Sequence, residues 1–162
     1  MVINFSPPSR FTIQSFLNAV NGFPNRNLFK GAPLKVYRSG RARGLLKGGN
    51  LITPTALLGT EWEINTEGAI LFFEEVNEKL YDVDRYLTQW IFAGKLRKVK
   101  GLILGNFRGI RNRDVYNILS SQMRVGFPMV NCPYIGHVKN KITLPIGARV
   151  ELNATKKTLT LL

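Results

Sequence analysis

The run Gly68-Ala69-Ile70-Leu71-Phe72-Phe73 passes without a break into Glu74-Glu75-Val76, and no other stretch restricts the fold as tightly. Six small or apolar residues in a row are too few for a helix and have no polar side. They predict a strand covered on both faces. Strands of that kind belong to α/β sheets, which bind ligands beyond the carboxyl ends of their strands. Two acids placed there stand at the rim of the sheet. Glu74 and Glu75 are therefore candidates for chemistry, with helix-terminal or solvated charges as the alternative reading.

The residues that follow build on this strand. Val83, Leu87, Trp90 and Ile91 recur at helical spacing, and Gly94 is a natural terminator, which predicts a helix over residues 82–93. Residues 98–105 read as a second buried strand. Strand, helix and strand in this order make the two strands parallel neighbours. The fold class expected is α/β, a mixed sheet with parallel buried strands flanked by helices and a β-rich C-terminal end. That end comprises strands at 141–144, 148–152 and 158–162, with residues 153–157 as the last hairpin turn.

The amino-terminal part is less regular. Residues 1–10, with Pro7-Pro8, read as an arm. A short helix follows, capped by Thr12, with Ile13, Phe16, Leu17 and Val20 on one face and Asn21-Gly22 as its stop. Residues 34–37 can form a strand. Lys35, Arg38, Arg41, Arg43 and Lys47 have no acid among them, and Gly40 and Gly44 suggest exposed turns or a hairpin. Gly48-Gly49-Asn50 reads as a tight turn into a helix over 51–58, ended by Gly59. A further helix is expected over 114–123.

Charge and composition narrow the function. Twenty-three Lys and Arg against ten Asp and Glu give a net charge of +13 on 162 residues, a length for one domain. Such a surface suits an anionic partner (nucleic acid, acidic membrane, acidic peptide or acidic domain) or is simply solvated. Against nucleic acid, the basic clusters are not interleaved with aromatics and no standard motif appears. The single cysteine, Cys132, and the single histidine, His137, exclude an internal disulfide and a His/Cys zinc site, and no cofactor is expected. A cytoplasmic setting fits. The first residues lack the pattern of a signal peptide, and no apolar run reaches the roughly 20 residues that cross a bilayer.

His137 follows Gly136 in a loop read over 133–137. A carboxylate bonded to one imidazole nitrogen fixes the tautomer and leaves the other free as a general base. Glu74 and His137 are the pair that would do so, although a lone histidine also occurs as an ordinary loop residue. The nucleophile is missing: none of Ser6, Ser9, Ser15, Ser39, Ser120 or Ser121 lies in a Gly-x-Ser-x-Gly elbow.

Several spaced blocks carry a resemblance. Gly48-Gly49-Asn50-Leu51 and Leu57-Leu58-Gly59-Thr60 precede the central run, which continues through Tyr81 and Asp84-Arg85-Tyr86-Leu87-Thr88-Gln89. Gly101-Leu102-Ile103-Leu104-Gly105, Cys132-Pro133, Gly136-His137 and Thr143-Leu144-Pro145-Ile146-Gly147-Ala148 follow in order. Over about residues 11–152 the chain resembles the serine LD-carboxypeptidases, the muramoyltetrapeptide carboxypeptidase family that includes the microcin C immunity peptidases. The resemblance implies a swivelling β/β/α-like carboxy-terminal domain over 11–162. It also implies a Ser-His-Glu hydrolase that removes terminal D-alanine from cytoplasmic murein tetrapeptides in cell-wall recycling. Glu74 matches the family's glutamate and His137 its histidine. The family's serine lies in an amino-terminal domain, expected to be absent here, so this chain alone is expected to be inactive. The partners implied are the murein tetrapeptide, that serine-bearing domain and a second copy in a homodimer, with no membrane.

Overall fold

A computed structural model describes residues 7–21 and 26–162. Residues 1–6 of the expected arm, and Gly22 of the expected helix stop, lie outside the described residues. The elements are α1 (Arg10–Val20), β1 (Lys35–Arg38), β2 (Arg41–Asn50), α2 (Ile52–Thr55), β3 (Ile70–Glu75), α3 (Leu80–Phe92), β4 (Gly101–Phe107), α4 (Asn112–Gln122), β5 (Met129–Asn131), β6 (Arg149–Asn153) and β7 (Thr158–Leu161).

The seven strands form one sheet in the order β1-β5-β4-β3-β2-β6-β7. The inner four are mutually parallel, and β1, β6 and β7 pair antiparallel at the flanks. This is the mixed α/β architecture expected, with β3 at its centre and all six of its residues buried. Alternation along β3 divides two cores. Leu71 and Phe73 join Val83, Leu87 and Trp90 of α3 and Val115 and Leu119 of α4. Ile70 and Phe72 join Leu46, Ile103, Val150 and Leu152 with Phe29, Ile135 and Ile142 on the opposite face. Phe73 meets Trp90 edge-on at 4.8 Å, and the indole N–H of Trp90 donates to Thr55 Oγ1 at 2.7 Å. Trp90, one of the largest buried side chains of this core, therefore keeps its one polar atom satisfied.

Four local expectations need correction. The basic segment runs through two strands that do not pair as a hairpin, β1 and the ten-residue β2, and Gly48-Gly49-Asn50 ends β2 instead of forming a tight turn. Strand β2 is held on both sides: Leu46 to Asn50 pair with β3, and Arg41 to Leu45 with β6. Gly48, at φ +130°, lies where a Cβ would run into the Phe72 carbonyl, so close approach to β3 requires glycine there. The helix expected over 51–58 is only the four residues of α2. Residues 141–144 form no strand. In α1, Ser9 is the N-cap in place of Thr12, accepting from the Thr12 N–H at 3.1 Å.

The orientation of α1 also differs from the expectation. Ile13, Phe16, Leu17 and Val20 are 41–60% exposed, whereas Thr12 and Ser15 are buried. The buried hydroxyls bond to the loop after His137. Thr12 Oγ1 donates to the Lys139 carbonyl and accepts from the Lys141 N–H, and Ser15 Oγ accepts from the Thr143 N–H at 2.9 Å. Irregular backbone next to a core must find such partners, and here that need sets which face of the helix turns inward.

Candidate active site

Glu74 and Glu75 end β3 on opposite faces. Glu75 is a tie between strands: its carboxylate accepts from Asn50 Nδ2 at 3.0 Å, the Val76 N–H at 2.8 Å and the Ile52 N–H at 3.3 Å. It thereby holds the end of β2 and the start of α2 against β3. Three donors and 4% exposure leave it no open oxygen for a substrate.

Glu74 faces the other core, where the loop after β5 crosses the sheet. That loop is pinned by the Cys132 N–H to Leu104 O (2.8 Å), the Asn106 N–H to Ile135 O (2.7 Å) and the Ile142 N–H to Tyr134 O (2.7 Å). Phe11 of α1 meets Tyr134 edge-on at 5.0 Å. The register between β3 and β4 shifts between Phe73 and Glu75, where β4 carries one extra residue. Such a bulge re-aims side chains beside a site. Gly105 lies in it, and a Cβ there would come within 2.8 Å of Ile135 O and 2.9 Å of Glu74 Cβ. Gly136 makes the second close approach. Its φ is +117°, and a Cβ would lie 2.6 Å from Glu74 Oε2.

With both glycines in place, His137 Nδ1 sits 3.1 Å from Glu74 Oε2, although the residues are 63 apart in sequence. The glutamate side chain is 6% exposed and the imidazole 59%. An ionised carboxylate only accepts hydrogen bonds, so in a neutral ring this contact places the proton on Nδ1 and leaves the lone pair to Nε2. This is the geometry in which an acid orients a base. Lys141, which the sequence did not single out, stands close enough to Glu74 to feel its charge. Partial burial pushes its ammonium below the usual lysine range, and Glu74 opposes the shift. Its only sequence signal is its place four residues after His137.

Among the described serines none bonds to His137. Ser9 and Ser15 hold backbone as above, and Ser120 and Ser121 bond to carbonyls within α4. Cys132 is fully buried, and burial pushes its thiol up to about 12, which suppresses the thiolate that nucleophilic attack needs. The described residues thus hold an imidazole oriented by a buried carboxylate, with none of their serines bonded to it. No helix among them is long and apolar enough to cross a membrane.

An α/β domain presenting a Glu-His pair at the carboxyl end of its central strand has clear relatives. The chain belongs to the LD-carboxypeptidase family: the model of the LD-carboxypeptidase C-terminal domain matches residues 43–152. A Bacillus subtilis protein described as a probable murein peptide carboxypeptidase is 34% identical over 134 residues, which cover 78% of this chain and 42% of that protein. The crystal structure of muramoyltetrapeptide carboxypeptidase from Oxalobacter formigenes superposes with a TM-score of 0.76 at 31% identity, covering 94% of this chain and 54% of that one. An MccF-like protein from Bacillus anthracis superposes with a TM-score of 0.71 at 28% identity, over 80% of this chain and 42% of its own. The chain spans less than half the length of the curated relatives it matches.

Proposed function

We propose that this chain supplies the acid-base half of a Ser-His-Glu carboxypeptidase, with His137 as general base and Glu74 as its orienting carboxylate. The substrate class proposed is the murein tetrapeptide, and the reaction is release of its terminal D-alanine in the cytoplasm during cell-wall recycling. The observation that supports this reading is the buried Glu74 carboxylate on Nδ1 of an imidazole that is itself 59% exposed. The nucleophile would come from a serine on a domain outside this chain, docked over the exposed face of His137.

In that arrangement Nε2 takes the proton of the serine hydroxyl as the oxygen attacks the amide carbon before D-alanine. The C–N bond breaks, the acyl group passes to the serine, and the imidazolium returns the proton to the departing amine. Water, activated by the same nitrogen, then hydrolyses the ester and restores the serine. Glu74 stabilises the imidazolium throughout, in a site where removal of water strengthens the attraction.

The test is to join this chain to the serine-bearing domain of the Bacillus subtilis relative and to assay D-alanine release from murein tetrapeptide. The isolated chain should release none and the joined protein should turn over. Turnover of a peptidyl-nucleotide in place of the tetrapeptide would retain the residue roles and reassign the substrate. A folded, joined protein inactive on both would refute the proposal.

A further inference from the structure

The basic segment of the sequence is not absorbed by the Glu74–His137 site, because it runs to the other end of the sheet. The first half of β2 projects beyond the start of β3, since Leu46 is the residue paired with Ile70. It bends over the amino ends of the parallel strands, where a Cβ at Gly40 would sit 3.5 Å from Pro128. Between this projection, the turn before β4 and the turn after α4 lies a cleft of about 540 Å³. Arg41, Arg97, Lys100 and Arg124 line it, with no acid among its lining residues and with Met123 and Phe127 contributing apolar wall.

Four cations around one cleft repel each other. Arg41 shares Glu151 with Arg43 at 2.6 and 2.7 Å. The side chains of Arg97, Lys100 and Arg124 make no hydrogen bond or ion pair among the described residues, and all three are exposed. No side chain among the described residues therefore pairs with them, and an anion in the cleft would. Guanidinium groups match phosphate oxygens two at a time, and several such charges together suit a multiply charged ligand better than a single carboxylate. The cleft has the size of small-molecule sites, roughly 300–1,000 Å³. It offers a pocket instead of a long basic stripe, and its one aromatic, Phe127, is buried and unable to stack on a base.

We propose that this cleft binds a small di- or polyphosphate anion, at the end of the sheet opposite the Glu74–His137 pair. Arg97, Lys100 and Arg124 would take the phosphoryl oxygens, and Arg41 would stay partly engaged with Glu151. The site is independent of the catalytic reading and would persist if that reading failed.

The test is titration of the whole chain with inorganic pyrophosphate at low salt, followed by amide resonances. Saturable shifts should be confined to residues 41–42, 96–100 and 123–128. The Arg97→Glu/Lys100→Glu protein should bind at least about tenfold more weakly, equivalent to ~1.4 kcal/mol. Lys79→Glu, a reversal at the far end of the sheet, should change affinity by less than about twofold if the cleft and not overall charge binds. All these side chains are exposed, and unchanged amide positions outside the cleft will show that each variant is folded; Arg124→Ala gives a milder second variant. Absence of saturation by about 10 mM, weaker than millimolar binding, would overturn the proposal. So would shifts spread over the surface, or equal weakening by the cleft variant and Lys79→Glu. Tighter, steeply salt-dependent binding of a single-stranded oligonucleotide by the same residues would overturn the small-anion assignment.

Discussion

Gly136→Ala is the substitution that reports most directly on how the pair is built. The residue sits at φ +117°, a region that L side chains rarely adopt, and its Cβ would lie 2.6 Å from Glu74 Oε2 and 3.0 Å from Glu74 Cβ. Holding alanine in that conformation costs about 1–3 kcal/mol. The overlap with Glu74 adds about 1–3 kcal/mol if nothing moves. Glu74 has little room, because Gly105 on β4 packs against its Cβ. The loop is the softer partner, so part of the cost should be relieved by its retreat, with loss of the 3.1 Å contact to His137. Two outcomes follow together. Urea unfolding should show a loss of about 2–4 kcal/mol, within the range of strained and overpacked sites. Nitrogen spectra of ¹⁵N-histidine protein should show the Nδ1–H tautomer in the parent chain and a tautomer mixture in the variant. His137 is the only histidine, so the assignment is unambiguous. Stability within about 0.5 kcal/mol of the parent, with an unchanged histidine spectrum, would refute the close-approach argument.

Other substitutions separate the parts. Glu74→Gln keeps shape but removes the charged acceptor; in the joined protein kcat should fall by about 10²-fold or more, with KM changed little, as steady-state kinetics will read. Thr12→Val removes the hydroxyl that holds the backbone at Lys139 and Lys141, and calorimetry should show a loss of about 1–3 kcal/mol that Thr12→Ser largely restores. Trp90→Phe keeps most of the apolar volume but leaves the Thr55 hydroxyl without its donor, for a loss of about 1–3 kcal/mol in urea unfolding. The Cys132 thiol is raised from 9.0 to about 12 by burial, so the folded state holds its proton where the unfolded chain gives it up. That contribution to stability is complete below about pH 9 and declines as pH rises toward 12. A thiol reagent at pH 8 should therefore label the unfolded chain and leave the folded one untouched.

The central β3–α3–β4 unit was legible because its signals are local. An unbroken apolar run, a helical stripe and Gly94 at φ +71° each act within a few residues. The strand β2 was not, because Arg41 to Asn50 carries no apolar alternation and becomes a strand only through pairing with β3 and β6. The same holds for α1: its apolar stripe predicts a buried face, but Thr12 and Ser15 turn inward because a loop some 130 residues away needs partners, with separations of 127 to 129. The resemblance marked Glu74 and His137, and alternation along β3 then puts Glu75 on the opposite face. The ties that make Glu75 structural depend on Asn50, 25 residues earlier, and Lys141 gave no pattern to read.

The most direct test of the Glu74–His137 assignment is the rate of D-alanine release by the joined two-domain protein with His137→Ala, measured beside the unsubstituted joined protein and with folding checked by its amide spectrum. If His137 is the base, the rate should fall by about 10³-fold or more, the scale of losing a triad member. A rate within about twofold of the unsubstituted protein, far short of even a single general-base contribution, would contradict the account.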